Sequence, residues 1–242
     1  MKIAVLFTPH GLSAPELVGR GVIVLDVLRT TTTVITAVAN GAKAVVPAAT
    51  SEEAVRLTAN LEKDGLLLAG ERKSLKIEGF ALGNSPREMT PAAVSGKTIY
   101  LATTNGTPAL VAAQGGDPVL VGSVVNFKAL VARARAVFAE RGEEADLVIV
   151  CAGREGEFAL EDAYTAGRLV RALKRGTRKL RLNDAAAAAV DLTTHYRDWA
   201  DALSHSEAAR QLAQVDLGDD VAFSSKPDRF SVVPTYADRR IT

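Results

Sequence analysis

The chain has 242 residues, of which 48% are hydrophobic, and it carries a formal net charge of +1. A chain of this length and apolar content can bury a core of its own. The balanced charge and the 5% aromatic content argue against a nucleic-acid partner bound through phosphate contacts or base stacking. Cys151 is the only cysteine, which excludes an intramolecular disulfide, and no apolar run is long enough to span a bilayer. We therefore expect a cytoplasmic protein with no membrane partner.

Short β-branched runs alternate with helical patterns along the chain. The sequence predicts strands at residues 3–7, 22–25, 44–46, 66–69, 98–102, 119–121 and 146–150. Helices are predicted at about 34–39, 50–61, 108–114, 126–141, 160–174, 183–203 and 204–213. A long polar loop, 73–88, follows the fourth strand, and short apolar runs at 221–223 and 232–234 close the chain.

This alternation predicts an α/β protein, a three-layer α/β/α arrangement with a largely parallel or mixed central sheet. No segment of linker composition divides residues 1–242, so we expect a single domain. The segments that begin at the threonines before Val34 and before Asn105 resemble each other, with Thr33 aligned on Thr107 and Gly41 on Gly115. We interpret them as two similar strand-turn-helix units whose threonine turns face one cleft.

Polar side chains gather where four predicted strands end. They are Asp26, Arg29 and Thr30 to Thr33; Glu71 and Arg72; Thr103, Thr104, Asn105 and Thr107; and Gly153 with Glu161 and Asp162. Because ligands of open parallel sheets bind at the carboxyl ends of the strands, these groups predict a site for an oxyanion and a divalent metal. Carboxylate oxygens suit Mg²⁺, and the two arginines would offset the charge of a phosphoryl group.

A structural interpretation of the same residues stays open at this point. Thr30 or Thr31 would cap the following helix, and Asp26 would pair with Arg29. Glu161 and Asp162 would then only complement the dipole of their own helix.

Signatures of several other phosphate-binding classes are missing. The chain has neither GxxxxGK[ST] nor a GxGxxG after a strand, which argues against P-loop and dinucleotide-binding proteins. A phosphatase of the haloacid dehalogenase type would carry a second aspartate where this chain has Leu28. A cysteine phosphatase would carry an arginine where it has Glu157, so Cys151 is predicted to be a buried strand-end residue.

Several stretches together resemble the 2-phosphosulfolactate phosphatase family. They are LDVLRTTTTV (25–34), AGERKSLKIEGFALGNSPREM (69–89), TTNGTPAL (103–110), CAGREGEFALEDAYTAGRLV (151–170) and DDVAFSSKPDRFSVVP (219–234). The resemblance implies a Mg²⁺-dependent phosphatase that hydrolyses (2R)-O-phospho-3-sulfolactate to (2R)-3-sulfolactate and phosphate, as in coenzyme M biosynthesis. The chain departs from the family pattern at Thr30, where a small residue is expected, and at Ser224, where the tail often has cysteine.

The resemblance and the strand-end pattern together give each residue a predicted role. The predicted catalytic residues are Asp26, Arg29, Glu71 and Arg72, and the predicted metal ligands are Asp26, Glu71, Glu161 and Asp162. The predicted substrate-binding residues are Thr31, Thr32, Gly83, Asn84, Ser85, Thr103, Thr104, Asn105, Gly106, Thr107 and Gly153. The expected partner is a small phosphorylated, sulfonated acid, and a homodimer is a possible assembly. Two alternatives stay open: a phosphatase of another small phosphorylated acid, and a non-catalytic anion-binding module.

Overall fold

In the part of the chain that the structure describes, eleven strands form one mixed sheet. The structure is a computed structural model, and it describes residues 1–61, 64–142, 145–175 and 179–242. The strands are β1 Lys2–Leu6, β2 Gly21–Leu25, β3 Ala44–Ala48, β4 Leu66–Arg72, β5 Leu75–Lys76, β6 Thr98–Ala102, β7 Val119–Gly122, β8 Asp146–Cys151, β9 Arg181–Leu182, β10 Thr235–Ala237 and β11 Arg240–Ile241. Their order across the sheet is β5-β4-β6-β3-β11-β10-β7-β2-β8-β1-β9.

Helices connect the strands and close the chain. The α-helices are α1 Thr30–Ala39, α2 Ser51–Thr58, α3 Pro91–Val94, α4 Gly106–Ala112, α5 Phe127–Arg141, α6 Leu160–Lys174, α7 Asp184–Leu192, α8 Trp199–Ser204, α9 Glu207–Gln214 and α10 Gly218–Ser224. Among the described residues, no helix has the length and apolar character needed to cross a membrane.

Two hydrophobic cores lie on opposite faces of the sheet. Along β2, Val22 and Val24 belong to one core, whereas Ile23 and Leu25 belong to the other. Every residue of β2 is buried, which is the pattern of a central strand covered by helices on both sides. The predicted three-layer α/β/α fold is therefore confirmed.

The C-terminal tail completes the sheet. The parallel strands form two groups, one around β6 and one around β2, and the antiparallel pair β10 and β11 lies between them. The sequence analysis did not predict these two strands. They have only three and two residues, too few to show an alternating pattern.

Three helical segments differ from the prediction. Helix α1 begins at Thr30, so the four threonines form its first turn rather than a loop before it. The helix predicted at 183–203 is two helices, α7 and α8, because Asp198 starts a new one and its side chain accepts a hydrogen bond from the Asp201 N–H. The apolar run 221–223 belongs to α10.

The two threonine turns noted in the sequence lie side by side. One connects β2 to α1 and the other connects β6 to α4. The Thr30 hydroxyl donates a hydrogen bond to the Thr103 hydroxyl at 3.1 Å. The end of β2 and the end of β6 therefore contribute to the same region of the protein, although four strands separate their places in the sheet order.

Candidate active site

Asp26 is the first residue after the buried strand β2, and it holds the beginning of α1 in place. Its Oδ1 accepts a hydrogen bond from the Thr30 N–H at 3.1 Å, and its backbone carbonyl accepts one from the Thr31 N–H at 2.9 Å. Arg29 occupies the formal N-cap position but makes no side-chain capping bond. The Asp26 carboxylate thus meets the unpaired N–H groups at a helix N-terminus, which favour negative charge.

Thr31 and Thr32, which were predicted to bind substrate, do not line the cleft. The Thr31 hydroxyl donates to the Asp26 carbonyl at 2.8 Å, and the Thr32 hydroxyl donates to the Val27 carbonyl at 2.8 Å. Both side chains are fully buried. Because this first helical turn lies inside the protein, its hydroxyls must find partners there, and they find them in the backbone.

Arg29 is buried and held by two partners from distant parts of the chain. Its Nη1 pairs with Asp220 Oδ2 at 2.9 Å, and its Nη2 donates to the Ser74 carbonyl at 2.8 Å. The other oxygen of Asp220 accepts a hydrogen bond from the Ser85 hydroxyl at 2.7 Å. Asp220 is fully buried. The pairing of Arg29 with Asp26, considered as an alternative from the sequence, is therefore not observed.

The TTNGT turn fixes itself through two of its threonines. The Thr107 N–H donates to the Thr103 hydroxyl, and the Thr103 N–H donates to the Thr107 hydroxyl, each at 3.0 Å. Both side chains are buried. The hydroxyls of Thr103 and Thr107 therefore fix the shape of the turn, whereas Thr104 and Asn105 line the cleft.

Gly106 allows the TTNGT turn to approach Asp26 closely. A Cβ at this position would lie 2.3 Å from Asp26 Oδ2 and equally close to the Thr30 hydroxyl. No side chain fits in that space, so only glycine permits this arrangement of the two turns.

The side chains of Glu71 and Arg72, at the end of β4, point in different directions. The Glu71 carboxylate lines the cleft and accepts hydrogen bonds from the N–H groups of Ser74 and Thr104, both at 2.7 Å. The Arg72 side chain is 71% exposed and pairs with Glu52 at 3.5 Å. Arg72 does not line the cleft, since neighbouring residues of a strand point to opposite faces of the sheet.

Glu161 and Asp162 are buried in the first turn of α6. The two oxygens of Asp162 accept hydrogen bonds from the N–H groups of Val27, at 2.8 Å, and Gly153, at 3.2 Å. Asp162 therefore joins the loops that follow β2 and β8, and the Gly153 N–H is used in that contact. Both oxygens of Asp162 are therefore occupied. Asp26 lines the cleft, whereas Glu161 is not among the lining residues and has the Ser206 side chain as a hydrogen-bond partner.

The buried carboxylates affect one another. Burial raises the pKa of Asp26 to about 6, although hydrogen bonds from Thr30 oppose the shift and the charge of Glu71 adds to it. Burial and then the charge of Asp26 raise the pKa of Glu161 to about 7. Burial, followed by the charges of Glu161 and Asp26, raises the pKa of Asp162 well above its ordinary value. Negative charge in this region thus needs compensation.

The loop 79–86 brings Asn84 to the cleft. Asn84 is buried, and its Nδ2 donates to the Thr30 hydroxyl at 3.3 Å, whereas its Oδ1 has no hydrogen-bond partner within the described residues. Gly83 and Ser85 are occupied elsewhere: the Gly83 N–H donates to Glu88, and the Ser85 hydroxyl donates to Asp220. Asn84 is thus the residue of this loop with an atom available to a ligand.

A polar cleft lies where β2, β4 and β6 end. Six of the predicted site residues line it: Asp26, Arg29, Glu71, Asn84, Thr104 and Asn105. Residues that the sequence analysis did not select complete the walls, among them Lys73, Ser74, Arg154, Glu155, Gln211 and Leu212.

The cleft residues that were not predicted from the sequence have only weak local patterns. Arg154 follows the end of β8 at Cys151, the same strand-end signal that selected Asp26 and Glu71. Asp220 lies in the DDVAF stretch, which entered only as part of a resemblance, because nothing in its local sequence shows a contact with Arg29.

The donor set fits a hard cation such as Mg²⁺. Among the described residues, no three histidine, cysteine, aspartate or glutamate side chains are placed so that they alone could hold a metal ion. Mg²⁺ does not need such a cage, because it keeps several waters and takes one or two carboxylates together with substrate phosphate. Asp26, Glu161 and the unpaired Oδ1 of Asn84 supply oxygen donors of this kind.

Cys151 is not a nucleophile in this structure. Its side chain is fully buried at the end of β8, and burial together with the charge of Asp162 raises the pKa of the thiol. A buried thiol with a raised pKa is unreactive at neutral pH, as the sequence analysis predicted.

Comparison with known proteins shows one family. Residues 6–239 match the sequence model of the family described as 2-phosphosulpholactate phosphatase. A probable 2-phosphosulfolactate phosphatase of Caldanaerobacter subterraneus subsp. tengcongensis is 39% identical over 228 residues, which cover 94% of this chain and 92% of the relative. Proteins with the same name from Clostridium acetobutylicum and Symbiobacterium thermophilum are 35% and 38% identical, over 100% and 94% of this chain and 100% and 96% of the relatives.

The contact between Asp220 and Arg29 predicts a large effect on stability. Asp220→Ala leaves a buried arginine without its counter-charge, so the free energy of unfolding should fall by about 3 kcal/mol. The neighbouring Asp219 is 75% exposed and pairs with Arg87 at the surface, so Asp219→Ala should change it by less than about 0.5 kcal/mol. Urea denaturation of both variants tests this, and equal effects would show that the buried pair is not important for stability.

The raised pKa of Glu161 predicts the pH dependence of stability in the absence of metal. The folded protein keeps a proton on Glu161 up to about pH 7, whereas the unfolded chain loses it near its ordinary pKa of 4.5. Proton binding by the folded state therefore stabilises it at low pH, and this contribution is lost as the pH rises through 7. In a chelator, Glu161→Gln should be more stable than the wild type at pH 8, by roughly 2 kcal/mol, and not at pH 4.

A matched variant controls for the loss of a carboxylate from the same segment. Glu157 is exposed, so Glu157→Gln should have the same free energy of unfolding as the wild type at both pH values. Denaturant unfolding measured at each pH gives the comparison. If Glu161→Gln also follows the wild type, the Glu161 carboxylate does not titrate as described.

Proposed function

Because the chain belongs to the 2-phosphosulfolactate phosphatase family, we propose that it hydrolyses (2R)-O-phospho-3-sulfolactate to (2R)-3-sulfolactate and phosphate with the help of Mg²⁺. The family match covers residues 6–239, and the similar proteins carry this activity in their names. The magnesium requirement rests on the donor set of the cleft.

One observation carries the proposal. The carboxylate of Asp26 and the guanidinium of Arg29 line the same cleft as Asn84, and each of the three is buried. A buried guanidinium next to a buried carboxylate with a raised pKa offers a place for a phosphoryl group and for the cation that balances it. A surface site for adventitious anions would not bury these groups.

In this proposal, Arg29 and the second N–H of the Asn84 amide bind the phosphoryl oxygens. Hydrolysis forms a bond between a water oxygen and phosphorus and breaks the ester P–O bond, so charge increases on the leaving oxygen. The Arg29 side chain keeps its conformation during this step, because Asp220 and the Ser74 carbonyl accept hydrogen bonds from two of its nitrogens. A fixed cation stabilises the transition state without first having to be oriented.

Asp26, Glu161 and Asn84 would hold the magnesium ion. When bound, the ion would offset the charge of the phosphoryl oxygens and of the two carboxylates. Asp26 would then be the carboxylate closest to the reacting phosphate, and Glu161 lies within range of its charge.

The direct test is phosphate release from (2R)-O-phospho-3-sulfolactate by the wild type and by Asp26→Asn, with Mg²⁺ and with a chelator. We expect wild-type turnover that needs Mg²⁺, and a loss of at least about 10³-fold in Asp26→Asn, because the substitution removes a charge from both the metal and the reacting group. Circular dichroism of the variant checks that it is folded.

Each part of the proposal can fail separately. Unchanged turnover in Asp26→Asn would remove this residue from the mechanism, and full turnover in the chelator would remove the metal. Turnover of other phosphorylated acids, but not of phosphosulfolactate, would assign the site to a different substrate. Tight anion binding without any turnover would identify a binding module.

A further inference from the structure

The charged side chains around the cleft fall into two groups. In the first group, every charge already has a partner in the protein: Arg29 pairs with Asp220, and the two oxygens of Glu71 accept the N–H groups of Ser74 and Thr104. These contacts keep the cleft in shape, and the N–H groups of Arg29 that they leave free are the ones assigned to the phosphoryl group in the proposed function.

Arg154 and Lys73 form the second group. Both line the cleft, and within the described part of the chain neither side chain makes a hydrogen bond or an ion pair. Lys73 is exposed, whereas Arg154 is half-buried. The charge of Arg154 acts on Glu161, where it opposes the rise in pKa that burial causes, but a half-buried guanidinium without a hydrogen bond or salt bridge still costs free energy, which a bound anion would recover.

The backbone around Arg154 is fixed although its side chain is free. The Arg154 N–H donates to the Glu157 carbonyl at 2.9 Å, and the Glu157 N–H donates back at 2.8 Å. The Glu155 N–H donates to the Asn105 side-chain oxygen at 2.8 Å, which ties this turn to the TTNGT turn. Arg154 is therefore presented to the cleft by a rigid support on which an anion site can be preorganised.

Helix α9 forms one wall of the cleft. Gln211 and the apolar side chains of Ala208 and Leu212 line it on this side. This side of the cleft offers apolar contacts and one amide, and its three residues carry no charge. The charged groups of a small ligand would therefore face Arg154, Lys73 and Arg29. The cations thus lie on three turns: Arg29 on the turn after β2, Arg154 on the turn after β8, and Lys73 on the turn between β4 and β5. Lys73 precedes Ser74, whose carbonyl accepts a hydrogen bond from Arg29, so Arg154 lies apart from the other two in the chain.

From this arrangement we infer that Arg154 binds the sulfonate of the substrate and determines specificity for a phosphate monoester that carries a second strong acid. The inference rests on the proposed function and extends it to a residue outside the phosphate site. A sulfonate is anionic at all physiological pH values, and the fork of an arginine can donate two parallel hydrogen bonds to its oxygens.

Kinetics with two substrates test this role. Phosphosulfolactate and phospholactate share the phosphate and the carboxylate, and only the first has the sulfonate. Arg154→Gln should raise KM for phosphosulfolactate by about 30-fold and change KM for phospholactate by less than about 3-fold, since one charge-assisted bidentate contact is lost. An equal increase for both substrates would overturn the inference and place Arg154 on the phosphate or in the structure.

Arg210→Gln provides the matched control. Arg210 lies on the same helix α9 that covers the cleft, but it is exposed and pairs with Glu207. This variant should behave like the wild type with both substrates.

A binding measurement separates failure of this inference from failure of the proposed function. In calorimetry, 3-sulfolactate should bind the wild type and Arg210→Gln equally, and bind Arg154→Gln at least about 10-fold more weakly. This readout needs no turnover, so it holds even if the physiological phosphate ester is a different one. Equal affinity in all three proteins, or no binding to any of them, would refute a sulfonate site at Arg154.

Discussion

Burial of the Asp26 carboxylate at the end of β2 is the constraint on which the rest of the site depends. A carboxylate removed from water must be compensated, and here the compensation comes from the beginning of α1 through the Thr30 N–H. Gly106 lets the TTNGT turn come against the same carboxylate, where any side chain would collide with it. Glu161 lies close enough to Asp26 that the charge of Asp26 raises the pKa of Glu161. The two strand ends and the first turn of α6 are therefore arranged around one charged group.

The polar residues around Asp26 divide into those that build the site and those that remain open to a ligand. Asp162 joins two loops through backbone N–H groups, and Asp220 joins Arg29 to the loop that carries Ser85. Among the described residues, the groups that remain open include the Asn84 Oδ1, the Arg154 guanidinium and the N–H groups of Arg29 that Asp220 and Ser74 do not use. Most hydroxyls and carboxylates of the motifs thus maintain geometry, while a few atoms are left to bind the substrate.

The core of the fold could be predicted from the sequence because its central strands are short runs of buried aliphatic residues. The strand-end rule also placed Asp26, Glu71 and Asn105 at one cleft. What the rule could not show was direction: Arg72 follows Glu71 but points away, and Thr31 and Thr32 turn into the protein. Asp220 could not be identified as a partner of Arg29, because 191 residues separate the two and only the folded chain brings them together. The strands β10 and β11 were too short to leave a pattern.

Calorimetric titration of Mg²⁺ into the substrate-free protein tests most directly whether Asp26 and Glu161 form a cation site. Performed near pH 6.5 in two buffers of different ionisation enthalpy, it reports both affinity and released protons. If the two carboxylates share the ion, binding should release protons from the wild type, because the pKa of Glu161 lies at about 7. Glu161→Gln should bind more weakly and release fewer. Equal affinity and equal proton release in both proteins would contradict this account.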